Sequence, residues 1–594
     1  MPALLAALAA AIALNLALWA LPNRPVVLDD PWQGPLPSVS FAPFRDGQSP
    51  LTQDYPTPDQ IREDLRSLVG ATKAVRTYTS REGLEVVPGF AREYGLKVIQ
   101  GAWLGNPAHA PDPRTNDREI AALIKSANDY PDVVTRVIVG NEVLLRNDLP
   151  VDQLVRYIRQ VKQAVRQPVT YADVWEFWIR HPELAQEVDF ITIHVLPYWE
   201  NDPIGTERVM THVDWVYEHV KAVFPDKPVF IGEIGWPSAG RSRGDAVPSR
   251  VDQARFLNDV FHWGARRKVD FNMIEAFDQP WKSKLEGTVG AAWGFLDTDR
   301  QVKYALTEPI APQPLWPGFF ALATVLLLAA CLVWRRCLSG AGFWRLLAFA
   351  LVAQGVASAV AWSALVAWTQ NFRPATEAGA AALVVLQAGF GIAVLALAAR
   401  LVGGRTGAPV GVAGTLDAIV SAMDPVADGG EEESEAGRLW VLARRFDLLH
   451  VVSALVALGL TAILALNGRY WDFPIPYFLV LACGPLVLWL LARALDGGRV
   501  LADLGIGRLW GPVAATRGGR ALDGILAAAL ALFAVTLIWT ERLSPELKDW
   551  SWGRILAVPF DGRPWNVEAL AWVACALAIA LPFALSALRA PRRG

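Results

Sequence analysis

Cysteine is scarce in this 594-residue chain: there are four, and none lies between residues 24 and 315. Cys331, Cys337, Cys483 and Cys575 all sit in or beside apolar segments. The first half therefore has neither a disulfide framework nor a thiolate metal site, and its stability must come from its core. The seven histidines show no H-x-x-x-H or H-E-x-x-H spacing, so there is no metal signature. A glycine-rich phosphate loop is absent as well, and no cofactor is implied. The net charge of −3 is near neutral and the first half carries no basic cluster, which speaks against nucleic acid as a partner. Acidic residues are missing from the depths of the apolar runs, where an ion-coupled transporter would need them. Gln354, Ser358 and Gln387 are the few polar residues well inside those runs, and they read as helix-packing contacts.

What is abundant is hydrophobic residues, at 53%, and they are unevenly spread. Residues 24–315 mix apolar and charged residues; residues 316–594 are mostly Ala, Leu, Val, Gly and Trp. The shift predicts an N-terminal anchor over 1–23, a globular domain over 24–315 and a membrane domain over 316–594. Ala3–Leu21 reads as an uncleaved anchor, because it has no basic n-region and no clear A-x-A cleavage site at its end before Pro22. Further spans are predicted at 317–334, 343–368, 379–399, 448–467, 477–492, 521–540 and 568–588, eight with the first. With the N-terminus in the cytoplasm, the inner loops and tail hold sixteen basic residues and the outer loops six. That bias places the globular domain outside the cytoplasm. The Ala/Arg-rich composition and short loops suggest a bacterial inner membrane with a periplasmic domain. The longest cytoplasmic loop, about 403–440, contains Asp428-Gly-Gly-Glu-Glu-Glu-Ser-Glu435 and reads as a disordered linker.

The globular half alternates strand-like and helix-like segments from residue 38 onward. Strands are predicted at 39–44, 74–78, 97–104, 135–144, 169–174, 189–196, 229–234 and 271–277. Helices are predicted at 57–69, 82–94, 116–129, 151–166, 207–223 and 251–267. Eight repeats over this length match an α/β (β/α)8 TIM barrel, joined here to an α-helical polytopic membrane domain.

Such barrels keep their chemistry at the C-terminal ends of the strands. Strand four ends at Asn141 and Glu142, strand seven at Glu233, strand two at Arg76 and Tyr78, and strand six at His194, Tyr198 and Trp199. Strand eight runs into Glu275-Ala-Phe-Asp-Gln-Pro-Trp-Lys282. Glu233, flanked by Gly232 and Ile234, is a charge in an apolar setting and needs a use or a partner. Two carboxylates facing each other across a barrel mouth are the machinery for cleaving a glycosidic bond. One is protonated to assist the leaving oxygen and the other attacks the anomeric carbon. Glu142 and Glu233 are in position to meet in this way, and a separation near 5 Å would mean retention through a covalent intermediate. Asn141 is placed to hold the substrate 2-hydroxyl. Rim tryptophans among Trp103, Trp175, Trp178, Trp199, Trp236 and Trp281 offer faces for a pyranose ring, although each alone is as readily core or loop packing.

The stretches Val139-Gly-Asn-Glu-Val143, Ile231-Gly-Glu-Ile-Gly-Trp-Pro-Ser238 and Glu275–Lys282, followed by Trp293-Gly-Phe295, resemble glycoside hydrolase family 17. The resemblance covers roughly residues 38–306 and says nothing of the membrane half. It implies Glu142 as general acid/base, Glu233 as nucleophile, and Tyr78, Asn141, Tyr198, Glu275, Asp278 and Lys282 as substrate-site or support residues. Where the family carries Glu-Pro-Trp-Lys, this chain has Gln279-Pro-Trp-Lys282, one acidic group fewer. The implied activity is retaining transglycosylation of β-1,3-glucan, for elongation, branching or cyclisation. One alternative is an endo-β-1,3-glucanase using the same pair; another is a glucan-export or scaffold protein with a glucan-binding barrel. The implied partners are β-glucan chains and the lipid bilayer. Polymerisation from activated sugar would need a separate glucan synthase, since the cytoplasmic loops show no nucleotide-sugar transferase pattern.

Overall fold

The computed structural model describes residues 2–110, 112–403, 435–496, 517–542 and 564–588, with the backbone alone for 435–447, 496 and 517–519. Its contacts divide the chain into two units, Pro25–Pro312 and a second made of Met1–Arg24 with Gln313–Gly594.

The first unit is a closed parallel barrel of eight strands in sequence order. The strands are β1 (Ser38–Ser40), β2 (Ala74–Arg76), β3 (Lys97–Ala102), β4 (Val134–Asn141), β5 (Val169–Val174), β6 (Ile191–Val195), β7 (Val229–Ile234) and β8 (Phe271–Met273). Closure comes from Ser38 and Val39 of β1 pairing with Asn272 and Met273 of β8. The strands are apolar on both faces because both are covered. Val98, Val137, Val139, Ile193 and Ile231 pack outward against the helices, and Ile99, Ile138, Ala172, Phe190 and Phe230 form a separate cluster with the opposite parity. Each fully buried Val, Leu, Ile or Phe contributes about 1.5–3 kcal/mol, so this core carries the fold without any crosslink.

The helices outside the barrel follow local rules. Pro58–Ser67 opens on a capping box in which Thr57 and Gln60 bond each other's backbone, with Pro58 at the first helical position. The segment 82–94 is not one helix: Leu84–Val86 is a 3₁₀ turn and Val87–Glu93 is the helix proper. Two further helices lie outside the sequence-based assignment, Trp175–Arg180 and Ser283–Ala291. The first is six residues long and half aromatic, too short to show a helical period. The second carries Gly287 in a non-helical conformation.

The second unit is helical, and among the described residues eight of its helices are long and apolar enough to cross a membrane by length and composition. The first is Pro2–Ala20 and the last Val567–Leu588. The helix Glu435–Asn467 begins inside the segment expected to be a loop over about 403–440, so that loop is shorter than its composition suggests. The acidic run before Glu435 lies outside the described residues.

Candidate active site

The site begins with a break in strand alternation. Gly140 sits at φ +86°, and the register between β4 and β5 slips between Ile138 and Asn141. Consecutive residues Asn141 and Glu142 are thereby both brought to the site instead of to opposite faces. Glu142 itself has φ +51°, a left-handed conformation that costs a non-glycine residue about 1–3 kcal/mol. Its surroundings hold it there. The Glu142 N–H donates to the Ala172 carbonyl at 2.8 Å. The N–H groups of Leu144 and Leu145 both donate to Asp173 Oδ2 at 3.3 Å, and that oxygen also accepts the Tyr171 hydroxyl. Arg146 donates to the carbonyls of Asn141 and Leu104. Neither Asp173 nor Arg146 was legible as a site residue, because both act through backbone groups.

Glu233 is contributed by β7 beside His194 of β6, its register partner. Gly232, just before it, makes the approach possible: a Cβ there would lie 2.4 Å from Thr192 Cγ2 and 3.3 Å from the His194 ring. Glu233 Oε1 accepts from Arg76 Nη1 at 3.0 Å, and Arg76 also donates to the Gly232 carbonyl at 2.7 Å and to Asn141 Oδ1 at 2.5 Å. Arg76 is fully buried and its guanidinium ties β2, β4 and β7 together. Because Asn141 gives its oxygen to Arg76, its amide NH₂ is the group left to donate to a ligand.

His194 stands between the carboxylates. Its Nδ1 is 2.8 Å from Glu142 Oε1 and its Nε2 is 3.7 Å from Glu233 Oε1. One oxygen of each carboxylate and one histidine nitrogen all lie within 4.8 Å of one another. These three side chains are of a kind that can ligate a metal ion, but Glu233 Oε1 already accepts from a guanidinium, whose charge opposes a cation at that point. Glu142 keeps 22% of its side chain exposed and Glu233 only 5%. Burial pushes the Glu142 carboxyl up; the hydrogen bond and charge of His194, with the charges of Arg146 and Arg76, outweigh it and hold the group below the ordinary carboxylate range.

The remaining residues singled out by sequence divide into two groups. Tyr78 donates to Ser40 Oγ at 2.9 Å, and burial, with the charge of Glu233, raises its phenol well above the ordinary range. Glu275 is fully buried and accepts from Lys282 Nζ at 2.7 Å; burial, aided by Glu286 and Glu233 against Lys282, pushes it up to about 7. Asp278 is raised by burial to about 6 despite accepting from Lys303 at 2.6 Å and from the Gly294 N–H at 3.0 Å. Trp281 gives its indole N–H to Gln279 at 2.8 Å and meets Phe44 edge-on. Trp199, partly exposed, stacks on Trp293 with ring centroids 6.4 Å apart. Tyr198 and Trp236 are both fully buried. Tyr198 donates to the Arg241 carbonyl at 2.8 Å and Trp236 to the Val247 carbonyl at 3.1 Å, so they support the rim from beneath. Trp178 is likewise core.

Gln279, the departure from the acidic pattern, has a structural reason. It is buried, donates to the carbonyls of Ala42 and Phe277, and accepts from Trp281, a set that a carboxylate would not satisfy. Glu286, which drew no attention in the sequence, belongs to the same electrostatic group. Burial raises it, the Lys282 charge lowers it, and Glu142 and Glu233 raise it further. It had no signal because its helix had none.

The family model described as the BtgE/BtgC glycoside hydrolase domain matches residues 38–294, inside the barrel unit. A glucan 1,3-beta-glucosidase of Schizosaccharomyces pombe is 31% identical over 278 residues, 44% of this chain and 83% of that protein. The chain belongs to glycoside hydrolase family 17. A probable glucan endo-1,3-beta-glucosidase of Aspergillus clavatus is 28% identical over 302 residues, and this family 17 chain spans 43% of its length. The solved structure of a family 17 beta-1,3-glucanosyltransferase from Rhizomucor miehei is 29% identical, with 46% of this chain and 98% of that one covered and a TM-score of 0.40.

Proposed function

We propose that this family 17 enzyme is a membrane-anchored retaining transglycosylase of β-1,3-glucan, with Glu233 as nucleophile and Glu142 as acid/base. The observation that carries the reading is the approach of the two carboxylates to within 4.8 Å, which suits direct attack and falls short of the roughly 6.5–9.5 Å of an inverting pair with its water. Arg76 fixes one Glu233 oxygen by a charge-assisted hydrogen bond; the other is available to the anomeric carbon.

His194 supplies what Glu142 needs for two opposite roles. The 2.8 Å contact with its Nδ1 fixes the Glu142 carboxyl in one orientation, in which it acts protonated in the first step and ionised in the second. The acid protonates the departing glycosidic oxygen as Glu233 forms the ester. The Glu142 carboxylate then takes the proton of the incoming hydroxyl, which attacks the ester and frees Glu233. The incoming hydroxyl is a sugar's in transfer and water's in hydrolysis. The Asn141 amide is placed to donate to the 2-hydroxyl, and the partly exposed Trp199 and Trp281 to flank sugar rings.

The eight apolar helices and the arginine bias support an anchored enzyme in a bacterial inner membrane, with the barrel on the periplasmic side and elongation, branching or cyclisation of β-glucan as its task. The names of the two fungal glucosidases favour hydrolysis as the second reading. Incubating the full-length enzyme with linear β-1,3-gluco-oligosaccharides and weighing the products decides between them. Products longer than the substrate are expected; only shorter ones would establish hydrolysis. Unchanged processing by Glu233→Gln would overturn the catalytic assignment.

A further inference from the structure

The helical unit contains a cavity of about 880 Å³, within the roughly 300–1,000 Å³ typical of ligand sites. Its wall follows the helix Phe343–Thr369 from Leu351 to Gln370, roughly 28 Å at about 1.5 Å per residue. It is therefore long, as well as large. Among the described residues no charged side chain lines it.

The polar groups on the wall are distributed unequally. Ser358, midway along, is already used: its hydroxyl donates to Asn15 Oδ1 at 3.1 Å and accepts from Gln354 at 2.9 Å. The middle of the cavity is thus effectively apolar. At the end marked by Thr369 and Gln370 lie Asn23 and Gln313, next to the two chain connections to the barrel unit. Asn23 spends its NH₂ on the Trp19 carbonyl at 2.8 Å, which leaves its Oδ1 as an acceptor. Gln313 spends its Oε1 on the Leu315 N–H at 3.1 Å, which leaves its Nε2 as a donor. The cavity wall thus offers both an acceptor and a donor, a set complementary to hydroxyl groups, which do both. A phosphate headgroup would instead call for Lys or Arg.

We propose that this cavity binds the hydrocarbon chain of a neutral glycolipid, with the sugar hydroxyls held at the Asn23–Gln313 end. The inference does not depend on the chemistry of the barrel. Gly355 provides the means to test it, because a Cβ there meets nothing within 4 Å and a large side chain would grow into the cavity. The full chain, in phosphatidylcholine nanodiscs, would be photolabelled with hexadecyl β-glucoside carrying a mid-chain diazirine. Labelling is expected on cavity peptides, competed by unlabelled hexadecyl glucoside and not by the same amount of phosphatidylglycerol. Gly355→Phe should lower it about tenfold, the equivalent of about 1.4 kcal/mol in affinity. Gly459→Phe, another open position that does not line the cavity, should leave it unchanged. Asn23→Leu, which removes the acceptor at the mouth, provides a second variant and should weaken competition by the glucoside. Labelling indifferent to Gly355→Phe and to Asn23→Leu, or competition by phosphatidylglycerol as strong as by the glucoside, would reduce the cavity to a gap filled by bulk lipid and overturn the proposal.

Discussion

At the scale of single residues, the two jobs proposed for Glu142 and Glu233 follow from the difference between their neighbours. Glu233 is buried and held by a fixed guanidinium; Glu142 is more exposed and held by the His194 ring. The difference has a chemical readout. With Glu142→Gly, general acid help is lost, and turnover of natural glucan should fall by about 10²–10⁴. A glycoside whose leaving group needs no proton should still load Glu233, and added azide should yield a glycosyl azide of retained β configuration. With Glu233→Gly the azide should attack directly and yield the α product; the anomer formed, read by NMR, would reverse the assignment if it came out the other way. His194 gives a pH prediction. Removing it as His194→Phe deletes the hydrogen bond and charge that hold Glu142 down and leaves the burial that pushes it up. The alkaline limb of kcat/KM, where the acid loses its proton, should therefore move to higher pH. A limb that stays in place would remove His194 from control of the acid.

At the scale of elements, β7 and its neighbours show why a strand end of this composition makes a site. Gly232→Ala would force a methyl against Thr192 and the His194 ring, and should cost about 1–3 kcal/mol, seen as a lowered Tm of the barrel's unfolding. The Glu275–Lys282 pair joins β8 to the turn after it and adds a pH signature. Glu275 titrates near 4.5 when exposed and at about 7 in the fold, so between those values the folded protein binds more protons than the unfolded chain. Stability contributed by this group is present at low pH and lost as pH rises through that window. Relative to wild type, Glu275→Gln should show a smaller fall in Tm from pH 4.5 to 7; an identical slope would show that Glu275 does not set it. Much of this was legible in advance. All eight strands overlap the segments marked by β-branched and apolar runs, and Glu142, Asn141 and Glu233 meet where strand-end logic puts them. What escaped was of two kinds. Trp175–Arg180 and Ser283–Ala291 are too short or too interrupted to show periodicity, which hid Glu286. For Tyr198 and Trp236 the sequence left cleft and support roles open; both polar tips satisfy backbone carbonyls, a choice that depends on three-dimensional packing.

At the scale of the whole molecule, the proposed membrane anchoring raises the question of which side the barrel faces, and arginine placement bears on it. Arg335, Arg336 and Arg345 flank the connection between the helices Trp316–Val333 and Phe343–Thr369, whereas the short connection after Thr369 holds only Arg373. Basic residues close to a span resist export, so the first connection should stay in the cytoplasm and the segment before Trp316 should be exported. Glucan chemistry fits that placement, because a transglycosylase draws its driving force from the bond it breaks and needs no nucleotide sugar. Alkaline phosphatase, which folds only where disulfides form, should be active when fused after residue 312 and inactive when fused after residue 340. Replacing Arg335, Arg336 and Arg345 together with Gln should raise the activity of the second fusion, since it removes the local bias that holds that connection inside. An inactive first fusion with an active second one would invert the topology. A cytoplasmic barrel would then have to find its glucan before export.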